Sequence, residues 1–226
     1  MGRKFVDKTK FIESIIRRKF SKKLFFVRPR KFGKSLLVDQ MRHVALGNRE
    51  VFGPMENNSQ QFHIYNCVDL FEQMKKRALL HLDLSNCNVQ DPLDIVHQLK
   101  KNFKINNVDV PPDFYQFNYI DGMVRFTIEY LAEKSESGEI IILIDEYDSP
   151  ITRALGDELK GEANIELAKK NRDFLRSFFT PFKPLTNLIH LLFITGVSKF
   201  SYTNLFSSMN DLTDISSMIE FHSMIG

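Results

Sequence analysis

Ile140-Ile141-Ile142-Leu143-Ile144 is an unbroken run of branched apolar residues, and it ends in Asp145-Glu146. A strand with no polar alternation is at rest only where both faces are covered, as for an inner strand of a parallel sheet flanked by helices. Carboxylates at the C-terminal end of such a strand fall where open α/β sheets bind their ligands. The run therefore points to a layered α/β fold with a polar site at one end of its sheet.

A second segment fits the same end. Arg28-Pro29-Arg30-Lys31-Phe32-Gly33-Lys34-Ser35 closes in Gly-Lys-Ser. The apolar run Leu24-Phe25-Phe26-Val27 precedes it, and Leu36, Leu37, Val38, Met41, Val44 and Ala45 follow at helical spacing. Strand, tight loop and helix is the context in which backbone N–H groups and a lysine cradle phosphate, with the positive end of the helix facing the anion. A hydroxyl and one carboxylate supply magnesium ligands, and a second carboxylate stands beside an attacking water. The two segments together imply a bound nucleoside triphosphate, ATP, with Mg²⁺. One position departs from G-x-x-x-x-G-K-S: residue 28 is Arg, followed by Pro29. Proline fixes its own φ and pushes the preceding residue towards an extended backbone, so this loop is stiffer at its start than a glycine-rich one. Arg28 and Arg30 each have two readings, a phosphate contact or a solvated cation.

The remaining pattern alternates strands and helices. Ala78 to Leu84 and Leu188 to Ile194 read as strands, and Asp211 to Ser216 as a fifth. Helices are expected from Asp91-Pro92 to Lys104, from Phe114 to Lys134 after Pro111-Pro112, and from Asn164 to Thr180. Lys10 to Lys22 reads as an amphipathic helix, and Asn48 to Asp69 as an insertion loop with one short helix. The expected architecture is a three-layer α/β/α core with a mainly parallel five-stranded sheet.

Five motifs in order carry a resemblance: Phe5-Val6-Asp7-Lys8-Thr9, Arg28 to Ser35, Leu143-Ile144-Asp145-Glu146-Tyr147-Asp148, Thr195-Gly196-Val197-Ser198-Lys199-Phe200, and Phe206 to Ser216. In these the chain resembles the AAA-ATPase-like family, with its V-D-K-T start, R-P-R-x-F-G-K-S loop, I-D-E-Y-D strand end and T-G-V-S-K-F turn. Arg28 is then that family's form of the loop. The resemblance implies a P-loop NTPase core over residues 1–226, with the phosphate-loop strand central and the strand ending in Thr195 between it and the strand ending in Asp145. It also implies that the helical lid and the nuclease-like domain found in many relatives lie outside this stretch.

On that order, Arg30, Lys31, Phe32, Gly33, Lys34, Ser35 and Leu36 form the nucleotide-binding segment, and Ser35 and Asp145 hold Mg²⁺. Glu146 orients the attacking water, Lys34 meets the outer phosphates, and Thr195 is a polar sensor, with Ser198 and Lys199 as second choices and a plain turn at Gly196 as the alternative. Asp7 and Lys8 stand near the base or ribose, or else form a helix cap and an exposed amine. Tyr147 and Asp148 shape the loop. No arginine follows Arg176, so a transition-state guanidinium would come from Arg153, Arg172 or Arg176 of a neighbouring copy in a homo-oligomer. Turnover is expected to be slow. A nucleotide-operated switch with negligible hydrolysis and a P-loop kinase are the competing readings.

Charge and cysteines set the outer bounds. Residues 1–34 hold thirteen Lys and Arg against Asp7 and Glu13, within a chain of net charge +3. This is either a nucleic-acid patch or a solvated basic helix leading into the phosphate loop, and charge runs usually face solvent. Cys67 and Cys87 lie twenty residues apart without a C-x-x-C partner, which argues against a zinc site or a disulfide scaffold and for a reducing, intracellular compartment, cytoplasmic or nuclear. The six histidines show no paired spacing. No apolar stretch approaches a membrane span.

Overall fold

Five parallel strands, β1 (Lys23–Val27), β2 (Ala78–Asp83), β3 (Ile140–Asp145), β4 (Ile189–Gly196) and β5 (Leu212–Asp214), form one sheet in the order β2-β3-β4-β1-β5. The structure is a computed structural model. It describes residues 6–17, 21–54, 61–85, 87, 93–155, 162–199, 205–206, 209–221 and 223–224. Helices α1 (Thr9–Ile16), α2 (Lys34–Ala45), α3 (Val68–Met74), α4 (Leu93–Ile105), α5 (Ile120–Lys134), α6 (Ser149–Leu155) and α7 (Glu162–Phe179) cover the two faces.

Strand periodicity decides which side chain enters which layer, because successive residues of a strand point to opposite faces. Ile140, Ile142 and Ile144 of β3 pack with residues of α4, α5, α6 and α7, whereas Ile141 and Leu143 pack with residues of α1, α2 and α3. β1 divides the same way, Phe25 and Val27 to the first layer and Leu24 and Phe26 to the second. Both faces being covered, β1, β3 and β4 are buried along their whole length. This is the three-layer α/β/α arrangement expected from the sequence, with every strand parallel.

Some expected boundaries change. The middle strand is β4, while β1 lies one place from the β5 edge. Pro112–Gln116 forms a 3-10 turn and α5 starts only at Ile120, because Phe117 is extended between them. The segment expected as an insertion loop holds two 3-10 turns, Arg49–Phe52 and His63–Asn66, before α3. α1 ends at Ile16 and Ser21 and Lys22 are not helical, so the helix expected to reach Lys22 is shorter; residues 18–20 and the Asp91-Pro92 helix start lie outside the described residues.

Aromatic packing supports the C-terminal end of the sheet. Tyr147 is fully buried, with its ring 5.3 Å from that of Phe25 and 5.4 Å from that of Phe206. Phe206 meets Phe179 at 4.8 Å in edge-to-face geometry. Such pairs add about 0.5–1.5 kcal/mol each beyond their area burial.

At the opposite edge, two carboxamides of α4 and that of Asn106, just past its end, read the backbone of β2. Asn106 accepts from the Leu79 N–H (2.8 Å) and donates to the Leu79 carbonyl (2.8 Å). Asn102 does the same for His81 (2.7 and 2.9 Å), and Gln98 for Asp83 (2.8 and 2.7 Å). The match is geometric: four helix residues rise about 6.0 Å, close to the roughly 6.6 Å of two strand residues. One helix face thus substitutes for a sixth strand.

Candidate phosphate-binding site

β1 delivers the chain to the C-terminal end of the sheet at Val27, and α2 begins seven residues later at Lys34. The turn between them uses two left-handed residues, Lys31 (φ 69°) and Gly33 (φ 89°). Gly33 is the residue immediately before α2, and a Cβ there would meet nothing within 4 Å, so the glycine answers a backbone requirement and not a steric one. No side chain caps α2, which leaves the N–H groups of its first turn and the positive dipole end facing the loop.

Lys34 is 4 % exposed, and its ammonium lies 3.2 Å from Glu146 Oε1 while donating to the Pro29 carbonyl at 3.3 Å. Lys34 and the strand-end acid Glu146 therefore meet, although 112 residues separate them in the sequence. Glu146 itself is left-handed (φ 53°), a conformation that costs a non-glycine residue about 1–2 kcal/mol. Asp145 is buried, and its Oδ1 accepts from the Thr195 hydroxyl and from the Glu146 N–H (3.0 Å). Thr195, fully buried, stands next to Asp145 because β4 is the direct neighbour of β3.

Lys34, Asp145, Glu146 and Thr195 thus form one cluster. Arg30, Lys31, Phe32, Gly33, Ser35 and Leu36 are exposed around it, Phe32 at 42 % and Leu36 at 50 %. One strand further, Asp83 pairs in register with Asp145, and His81 precedes it on β2. Burial, helped by the nearby Arg42 guanidinium and opposed by Asp83 and Asp145, pulls the His81 pKa below its ordinary value.

Residues given a minor or open role from sequence prove structural. Asp148 is 1 % exposed and accepts from the Ser198 N–H (2.9 Å), the Ser198 hydroxyl (2.9 Å) and the Val197 N–H (3.1 Å). The Tyr147 hydroxyl donates to the Ser198 carbonyl at 2.7 Å. The two residues after Asp145-Glu146 therefore fasten the turn that follows Thr195, and Ser198 is committed to that clamp. Gly196 is required there: a Cβ would come within 2.5 Å of the Tyr147 ring and 2.6 Å of Asp148 Oδ1.

Arg28 is half-buried and has partners within the fold. Its guanidinium donates to the carbonyls of Val27 (3.0 Å) and Ser216 (2.7 Å) and lies 4.7 Å above the Phe26 ring. It ties the start of the loop to the segment after β5. Asp7 is a helix-start acceptor for the Thr9 N–H (2.8 Å) and hydroxyl (2.7 Å), and Lys8 donates to the Ser223 carbonyl (2.6 Å). Lys199 pairs with Asp214. Asp7 meets Thr9 only two residues on, whereas Ser216, Ser223 and Asp214 lie on other segments, where no local sequence signal identifies them.

The family model described as Predicted AAA-ATPase, the AAA-ATPase-like family, matches residues 1–206. A curated relative from Azotobacter chroococcum mcd 1, described as "Uncharacterized protein in vnfD 5'region", is 28 % identical over 223 residues, covering 98 % of this chain and 39 % of the relative. The chain therefore spans well under half the length of that relative. No solved structure matches it.

Proposed function

The chain belongs to the AAA-ATPase-like family, and from that premise we propose that it binds ATP as the magnesium complex and hydrolyses it slowly. The observation that carries this reading is the buried Lys34 ammonium, held 3.2 Å from Glu146 at the junction of loop, helix start and strand end. An ammonium, a left-handed glycine and an uncapped helix start are the donor set a polyphosphate requires. The Ser35 hydroxyl and the Asp145 carboxylate are hard oxygen ligands of the kind Mg²⁺ prefers, and both described hydrogen bonds to Asp145 fall on Oδ1, leaving Oδ2 for a cation. The ion, when bound, neutralises charge on the outer phosphate oxygens.

The residues divide the work. Phosphate oxygens compete with Glu146 for the Lys34 ammonium, and the loop N–H groups of Lys31 to Ser35 hold the rest of the anion. Released from Lys34, Glu146 accepts a hydrogen bond from the attacking water and takes up its proton. Thr195 gives its hydroxyl hydrogen to Asp145 and so orients that carboxylate. A contact with water or the γ-phosphate needs the hydroxyl to turn.

Two described arginines favour slow turnover. Arg153 donates to the Ser85 carbonyl (2.8 Å) and Arg172 pairs with Asp173 (2.9 Å), whereas an inserted guanidinium is worth about 10³–10⁵ in rate. The same observation supports a second reading, a nucleotide-operated switch, and a homo-oligomer supplying an arginine would restore activity. Calorimetry with Mg-ATP, together with phosphate release, separates these. We expect Lys34→Ala to weaken binding at least about tenfold. We expect Glu146→Gln to retain binding and lower phosphate release by roughly 10²–10⁴. Equal, near-zero release by both wild type and Glu146→Gln selects the switch, and unchanged affinity in Lys34→Ala refutes nucleotide binding at this site.

A further inference from the structure

Away from the phosphate loop, the 3-10 turn at His63–Asn66 and the start of α3 bring two side chains against α1. Glu13 Oε2, His63 Nε2 and Cys67 Sγ all lie within 4.8 Å of one another. We propose that these three residues form a binding site for a borderline-soft divalent cation of the Zn²⁺ class, with solvent as the fourth ligand.

The donor set is one carboxylate oxygen, one imidazole nitrogen and one sulfur, the combination that selects zinc-like ions over Mg²⁺. Tetrahedral bonds of about 2.0–2.3 Å place ligand atoms roughly 3.3–3.6 Å apart. The His63–Glu13 contact of 2.7 Å must open by less than about 1 Å, and a pair at the 4.8 Å limit must close by about 1.2–1.5 Å, a change within side-chain torsion. His63 is 47 % exposed and Glu13 26 % exposed, so the cluster has a solvent-facing side for an ion to enter, while Cys67 forms its floor at 9 %.

The scaffold is organised beforehand. Asp7 Oδ2 accepts from the His63 N–H at 2.6 Å and the Thr9 hydroxyl accepts from the Ile64 N–H at 3.1 Å, so the ligand-bearing turn is pinned to the start of α1. Arg17 donates to Glu13 Oε1 at 2.8 Å, which occupies the other carboxylate oxygen and turns Oε2 towards His63. That guanidinium is itself neutralised by Asp69 through bonds of 2.8 and 3.0 Å, so its charge does not stand alone against an incoming cation. Outer contacts of this kind orient metal ligands and raise affinity. Binding displaces the hydrogen shared by His63 and Glu13 and expels the Cys67 thiol proton, so affinity rises with pH. The ion would staple α1 to α3, on the face that also carries α2. This inference is independent of the nucleotide reading.

Cobalt is the probe. Titration of the tag-free, chelator-treated chain with Co²⁺ is expected to give a saturable thiolate-to-cobalt band in the near ultraviolet at one ion per chain. Zn²⁺ should abolish it and excess Mg²⁺ should not. Cys67→Ser should lose the band, Cys87→Ser should keep it, and the exposed-site variant His63→Ala should weaken binding at least tenfold while melting like wild type. No band at millimolar Co²⁺, or an undiminished band in Cys67→Ser, overturns the proposal.

Discussion

At the scale of single residues, the site depends on a few backbone conformations and one close approach. Lys31, Gly33 and Glu146 are left-handed, and two of the three carry a Cβ, so strain of about 1–3 kcal/mol each is stored around the cluster. Gly196 is a different case, because its constraint is contact: Tyr147 and Asp148 occupy the space a methyl group would take. Tyr147 cannot yield, being fully buried against Phe25 and Phe206. Gly196→Ala is therefore expected to destabilise by about 1–3 kcal/mol, seen as a lower urea midpoint at unchanged slope. An unaltered midpoint would mean that the turn after Thr195 moves freely. The Cys87 thiol is inert for a local reason as well: burial first, then the nearby Asp94 and Asp83 carboxylates, push its pKa up to about 12.

At the scale of elements, the α4–β2 interface decides how the sheet ends. An edge strand offers unpaired N–H and C=O groups to any other chain, and here Gln98, Asn102 and Asn106 occupy them in both directions. Asn102 is 1 % exposed, so Asn102→Ala leaves the His81 N–H and carbonyl without partners in a buried setting. The expected cost is about 1–3 kcal/mol, with faster hydrogen exchange at the His81 amide and greater aggregation on heating. Protection equal to wild type at that amide would show that the ladder is dispensable. The pattern was present in the sequence as three amides at spacing four, yet sequence reading gave α4 only as a helix. Amides on a helix face are ordinary until a strand edge is known to lie alongside.

At the scale of the whole molecule, several cations of the basic N-terminal segment, residues 1–34, are used internally. Lys23 is fully buried and bonded to the Phe182 carbonyl (3.1 Å), the Thr186 hydroxyl (2.6 Å) and Asp211 (2.9 Å). Arg17 serves Glu13 and Asp69, Arg28 serves two carbonyls, and Lys34 serves Glu146. Four of the thirteen cations that cluster in sequence are thus bound to partners on other elements. Binding of a mixed-sequence DNA duplex at about 0.15 M salt is expected to be no tighter than the roughly 10⁻⁴–10⁻⁶ M of non-specific contact. Nanomolar affinity in a fluorescence titration would reverse that view. No described helix is long and apolar enough to cross a membrane.

The sequence alone determined the layers of this protein and the two segments that meet at the end of its sheet. Hydrophobic period, a proline-stiffened loop closing on Gly-Lys-Ser, and acids after an apolar run are local facts, readable within a window of about ten residues. Only the tertiary structure decided which strand is central, that Arg28 clasps Ser216, that Asp148 holds the turn after Thr195, and that Glu13 faces His63 and Cys67. Those pairings join residues 50 or more apart, and a side chain's partner at such separation is set by how helices and strands pack, which no short stretch of sequence encodes.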